Sequence, residues 1–180
     1  FAYDYVSSWR TFFATGEFPL YDSILFLGGD NIGSNTYYGL FDPFVIVMSI
    51  FPSSWIPFLY AMSTIIKITL TAFFAKSYLS YMHISKGASR FGSLAIAFSG
   101  YLNFMVGFPT FVSAITYVPL ILLGIEKTIR ECKIGNLVFG LFLLELSCFL
   151  LLVPMCIFGV IYALWRYFQT IKDRDALFST

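Results

Sequence analysis

The feature that most limits what this chain can fold into is an apolar run, residues 55–82, whose only charged side chains are Lys67 and Lys76. At about 1.5 Å of rise per residue, a helix of that length crosses roughly 30 Å of hydrocarbon even when tilted. Further apolar runs follow at 91–106, 110–125 and 134–168. Their continuity, with no period of two, predicts helices rather than the strands of an outer-membrane barrel. With 58% hydrophobic and 12% charged residues, the chain has too little polar surface to coat a soluble globule. The expected class is an all-α integral membrane protein.

Charge then orients the runs. Basic residues gather in three clusters between them: His83, Lys86 and Arg90; Lys127, Arg130 and Lys133; Arg166, Lys172 and Arg174. The first 42 residues instead carry Asp4, Glu17, Asp22, Asp30 and Asp42 against a single base, Arg10. The positive-inside rule assigns the basic clusters to the cytosol and residues 1–54 to the outer face. The run 134–168 is too long for one crossing, and a single helix would carry Arg166 to the wrong side. A break at Pro154, giving spans 137–152 and 155–168, restores the charge pattern. The expectation is an outer segment, 1–54, followed by a bundle of about five transmembrane helices, 55–180. The chain opens on Phe1 rather than Met, so it reads as a piece of a longer protein.

Within the outer segment, Tyr5, Trp9, Phe12 and Phe13 recur at helical spacing over residues 2–15, with Asp4, Ser7, Ser8 and Arg10 between them. That pattern predicts an amphipathic helix lying at the membrane surface. Gly16 and Pro19 end it, and a polar loop, 20–36, follows with Gly28, Gly29, Asp30, Asn31, Gly33, Ser34 and Asn35. Residues 37–51 are apolar but interrupted by Asp42-Pro43. They are too short to span and are expected to lie in or dip into the outer leaflet.

Several chemistries are excluded. A net charge of +1 offers no field for nucleic acid. Cys132 sits in a basic loop, while Cys148 and Cys156 lie in apolar runs, so neither a disulfide framework nor a zinc site is suggested. The sole histidine, His83, falls in a cytosolic loop, away from any catalytic pairing on the outer face. The glycine run 28–33 lacks the pattern and strand-helix setting of a nucleotide loop.

What remains are the oxygen donors of the outer segment. Asp4, Asp22, Asp30 and Asp42 are candidate general bases for a sugar hydroxyl, or ligands for a hard divalent cation on a phosphate. Solvated loop carboxylates are the plain alternative, and Asp30 before Asn31 and Gly33 is also good turn chemistry. Arg10 is placed to clamp a lipid phosphate through paired donors, or simply to snorkel to phospholipid. Tyr21, Tyr37 and Tyr38 can stack on a sugar ring or form an interfacial aromatic belt. Lys67 and Glu145 fall within apolar runs, where an ionised group needs a partner or a cavity; they can pair with each other as a structural ion pair or mark a proton or substrate path.

The succession of Tyr5 and Trp9, then Gly28-Gly29-Asp30-Asn31, then Tyr37-Tyr38-Gly39-Leu40-Phe41-Asp42-Pro43-Phe44, then Phe51-Pro52, resembles the N-terminal part of the YfhO family of bacterial membrane proteins. Ser99-Gly100-Tyr101, Val118-Pro119-Leu120, Ile125-Glu126 and Ile161-Tyr162 are similar to later landmarks of that family. The resemblance implies the glycosyltransferase C superfamily. Its members take a sugar from a polyprenyl-phosphate donor and pass it to an acceptor outside the bacterial cytoplasmic membrane, here an envelope polymer such as lipoteichoic acid. It also implies an essential acid in the first outer loop. The family's usual position for it falls just upstream of Phe1, with Asp4 the nearest substitute.

These readings converge on one expectation and two rivals. Asp4 and Asp30 are the expected catalytic pair. Arg10, Asp22, Asn31, Asn35, Tyr37, Tyr38 and Asp42 are expected to bind the donor and acceptor among membrane lipids. No resident metal or cofactor is assigned, although a divalent cation fits the donor chemistry. The rivals are a flippase for a lipid-linked precursor and a noncatalytic envelope scaffold.

Overall fold

The structure, a computed structural model, describes residues 2–22 and 29–178. The long run beginning near Trp55 folds as one helix, α4 (Ile56–Tyr81), preceded by Pro52 and a single 3-10 turn, Ser53–Trp55. It stops where His83 takes a left-handed backbone, φ 59°. The return is a broken helix, α5 (Lys86–Ala97) and α6 (Gly100–Met105), with Ser99 extended between them. Ser85 caps α5, so helix reaches further into the basic loop than the apolar pattern alone predicts. Phe108 and Pro109 then open α7 (Pro109–Glu131), with proline at the first-turn position where it needs no hydrogen-bond partner.

The region 134–168 differs from expectation in one respect. It divides as predicted, but at Cys148 rather than Pro154: α8 (Gly135–Ser147) ends at Cys148, and α9 (Phe149–Phe178) contains Pro154. Apolar spans tolerate an internal proline when neighbouring groups re-satisfy the freed carbonyl. The corner falls at Cys148 because the Ser147 carbonyl packs directly over Gly39 of the preceding segment.

Contacts fix the sense of each helix. Lys67 and Thr71 of α4 meet Thr116 of α7, and Tyr81 meets Glu131, so α4 and α7 run parallel. Tyr78 meets Tyr162, which places α9 parallel to both. Gly124 against Leu137 and Gly140 against Ile121 make α8 antiparallel to α7. The chain therefore alternates direction, and Lys127, Arg130 and Arg166 share the end at which α4 finishes. Among the described residues three helices, within Ser53–Tyr81, Thr110–Glu131 and Phe149–Ile171, are long and apolar enough to cross a membrane; α8 is a shorter apolar helix.

Between apolar helices in lipid, close packing supplies what the hydrophobic effect supplies in water. A Cβ at Gly124 would collide with the Leu137 backbone, and one at Gly140 would lie 2.9 Å from Ile121. These two glycines let α7 and α8 touch along their backbones. Ala114, Tyr117, Ile121, Ile125 and Leu144 form the core they enclose.

At the opposite end from the basic loops, α1 (Ala2–Thr15) lies against α3 (Pro43–Met48) and α4, with Val6, Met48 and Ile56 buried between them. A two-residue antiparallel ladder joins β1 (Tyr21–Asp22) to β2 (Gly29–Asp30). It leads into α2 (Asn31–Asn35) and a 3-10 turn, Thr36–Tyr38. The short apolar segment after it packs against the helices. Thr110 donates to the Tyr38 carbonyl at 2.7 Å, and Gly39 turns the chain with φ 95°, 2.8 Å from the Ser147 carbonyl at the Cβ position. Leu40 and Asp42 are thereby carried into the bundle, where both are buried.

Candidate functional site

Asp42 is an N-cap with a second task. Its Oδ1 accepts from the Phe44 N–H at 2.9 Å, the bond that starts α3, with Pro43 preset for the first turn. Its Oδ2 faces the bundle and accepts from Lys67 Nζ at 2.7 Å and from Ser113 Oγ at 3.1 Å. Both charged side chains are only 2% exposed. The Lys67 ammonium also stands 5.0 Å from the centre of the Phe44 ring. Thr71 and Thr116, whose hydroxyls are 2.9 Å apart, line the other side of the Lys67 backbone and hold α4 to α7 at this level.

The pairing of Lys67 with Glu145 is therefore corrected. Glu145 is exposed on α8, two residues from its end, and Lys67 is neutralised by an acid from the preceding segment. The sequence hides this because the partners are 25 residues apart. The legible clue was Asp42-Pro43 itself, a cap-and-proline signal inside a segment too short to span.

Above the pair opens a cavity of about 410 Å³. Tyr5, Tyr38, Phe44, Tyr60, Phe108 and Phe111 give it aromatic walls, with Ser63 and Thr110 as polar points and Asp42 and Lys67 at its base. Burial, and after it the charge of Asp4, pushes the Tyr5 phenol up to about 12, so it stays protonated. An apolar pocket with a few converging polar groups is the form of a small-molecule or lipid-headgroup site.

The other candidates from the sequence fall into different places. Asp4 is exposed on α1, next to Tyr5 but outside the cavity lining. Asp30 is exposed and caps α2 by accepting from the Ile32 N–H at 3.0 Å. Asn31 and Asn35 are buried and bond to one another, with Asn31 also donating to Ser8 Oγ at 3.0 Å and to the Pro19 carbonyl at 2.8 Å. They tie the loop to α1. Arg10 donates to the carbonyls of Ser49 and Phe51 and to Ser53 Oγ, spreading its guanidinium over the turn between α3 and α4. Tyr38 is half-exposed in the cavity wall. The side chains of Asp22 and Tyr37 lie outside the described residues. Among the described residues no group of three His, Cys, Asp or Glu side chains converges as a metal cluster.

At the basic end a second buried carboxylate, Glu126, knits the helices together. It is 1% exposed and accepts from Arg166 Nη2 at 3.0 Å, from Arg130 Nε at 3.1 Å and from the Tyr162 hydroxyl at 2.7 Å, with Tyr78 bonded to Tyr162 at 2.8 Å. This network joins α4, α7 and α9 and borders no part of the cavity.

The fold and site define an all-α membrane protein with an acid-base pair buried beneath an aromatic cavity at the end opposite its basic loops. The chain belongs to the YfhO family of bacterial membrane proteins, whose family model matches residues 6–179. No curated protein and no solved structure matches it at a significant level.

Proposed function

We propose that the chain forms the donor-side portion of an inverting membrane glycosyltransferase, acting at the outer leaflet on a polyprenyl-phosphate-linked sugar. The acceptor is an envelope polymer such as lipoteichoic acid. The observation that carries this reading is the buried Asp42–Lys67 pair at the base of an aromatic cavity. A lipid-linked sugar phosphate brings an anion, which Lys67 can neutralise, and a sugar ring, which Tyr38, Tyr60 and Phe108 can stack against. Resemblance to the glycosyltransferase C superfamily supports the same reading.

In the proposed reaction a carboxylate takes the proton of the acceptor hydroxyl as its oxygen attacks the anomeric carbon. The bond from that carbon to the phosphate oxygen breaks, and its electron pair leaves with the lipid phosphate. Configuration inverts. Asp42 is the carboxylate in the cavity, and Asp4, one residue from Tyr5 on α1, is the next candidate. General-base assistance of this kind contributes on the order of 100- to 10,000-fold.

The test is transfer of labelled sugar from a polyprenyl phosphate by the purified full chain in lipid nanodiscs. Asp42→Asn and Asp4→Asn are compared with Asp30→Asn, whose site is a helix cap. Loss with Asp42→Asn and retention with Asp30→Asn supports the assignment. Unchanged transfer in Asp42→Asn removes it, and lipid movement without transfer in the unmodified chain assigns a flippase instead.

A further inference from the structure

Lys67 and Asp42 are arranged as mutual blockers. Each charge occupies the other, yet both line a cavity large enough for a ligand. Buried ion pairs are weak sources of stability, since apolar groups of similar volume often serve as well. One placed at the base of a ligand cavity points to use rather than support. A carboxylate that accepts from the Phe44 N–H, Lys67 and Ser113 has its lone pairs engaged and is a poor acceptor for a further proton.

We infer that the anionic phosphate of the donor displaces Asp42 from Lys67, and that this exchange uncovers the carboxylate for the acceptor hydroxyl. The inference rests on the reading of the cavity as a lipid-phosphate site and adds its regulation: the base is armed only when donor is bound. Lys67 keeps one counter-ion throughout, and the cost of the exchange falls on the Asp42 carboxylate, which loses its ammonium partner. Asp42 does not drift on release, because the Phe44 N–H and the Ser113 hydroxyl still hold it. The empty protein thereby keeps its base masked until donor is bound.

Displacement has a thermodynamic signature that a structural pair lacks. If Asp42 competes with phosphate for Lys67, removing its charge must tighten phosphate binding, although the same change disables transfer. In Asp42→Asn, which keeps the helix cap, farnesyl phosphate is expected to bind the full chain in nanodiscs about tenfold more tightly, a typical coupling between two linked sites. Farnesol should bind both forms equally. In Lys67→Met the preference for farnesyl phosphate over farnesol should vanish. Equal or weaker farnesyl phosphate binding by Asp42→Asn overturns the exchange.

A measurement on the unmodified chain keeps the inference testable whether or not the variant folds. A hydrophobic carbodiimide joins touching carboxylate and amine groups, and the 42–67 linked peptide can be counted by mass spectrometry. Farnesyl phosphate should suppress that link and farnesol should not. Suppression by both means simple occlusion, and an intact link with farnesyl phosphate bound means the pair never opens; either result ends the proposal. Suppression by inorganic phosphate alone, to the same extent, upholds the exchange but reassigns the anion to a free phosphate. Absence of any farnesyl phosphate binding defeats the donor-site reading itself, whereas exchange without sugar transfer defeats only the transferase.

Discussion

At Asp42 and Arg10 the residue type suggests a chemistry, but the fold decides which partners each side chain meets. Asp42 was legible as a candidate carboxylate, and Asp42-Pro43 as an interruption of the apolar segment; its ammonium partner was not, because nothing local links positions 42 and 67. A lone charge left in this pair is costly. Asp42→Asn should lower unfolding free energy by about 3–5 kcal/mol, while Asp42→Asn with Lys67→Met should regain most of it, since neither charge is then buried bare. Denaturant titration in detergent checks this, and a double variant no more stable than the single one contradicts it. Arg10, read as a phosphate clamp, spends its donors on Ser49, Phe51 and Ser53. A lysine ammonium cannot fork in that way. Arg10→Lys should therefore cost about 1–3 kcal/mol of stability and leave farnesyl phosphate affinity unchanged, and a large fall in affinity would restore the clamp.

At the scale of elements, the sequence located α1, α4 and α7 because apolar runs and breakers mark them directly. It misplaced the α8–α9 corner because proline is a strong breaker in water but a tolerated one in a packed span. The true corner depends on a long-range contact, Ser147 over Gly39, which no local pattern encodes. Glycine is required there twice over, by φ 95° and by the missing room for a Cβ. Gly39→Ala is expected to open the corner, loosen the Tyr38 wall of the cavity and cut sugar-donor affinity at least about tenfold, a loss of roughly 1.4 kcal/mol. Retained affinity would show the corner to be dispensable. In the α7–α8 seam, Gly124→Val drives a branched side chain into the Leu137 backbone, and overpacking there should cost about 1–3 kcal/mol or more in a thermal melt.

For the whole molecule the decisive quantity is sidedness, since the cavity and the basic loops lie at opposite ends of α4, α7 and α9. The three cysteines report on it without added reporters. Cys132 is exposed where α7 ends, beside Lys127 and Lys133; Cys156 is exposed on the apolar surface of α9; Cys148 is buried at the corner. If the basic end faces the cytosol, as the positive-inside rule requires, a membrane-impermeant maleimide should reach Cys132 only from the cytosolic side. Cys156 should react only with an apolar reagent that partitions into lipid, and Cys148 with neither until the protein unfolds. A Ser7→Cys variant, exposed on α1, should show the reverse of Cys132 and react from outside. This pattern is stricter than a single accessibility test, because three depths and two faces must agree at once. Labelling of Cys132 from the outer side would invert the molecule, put the Asp42–Lys67 cavity in the cytosol, and remove lipid-linked sugar transfer at the outer leaflet as its function.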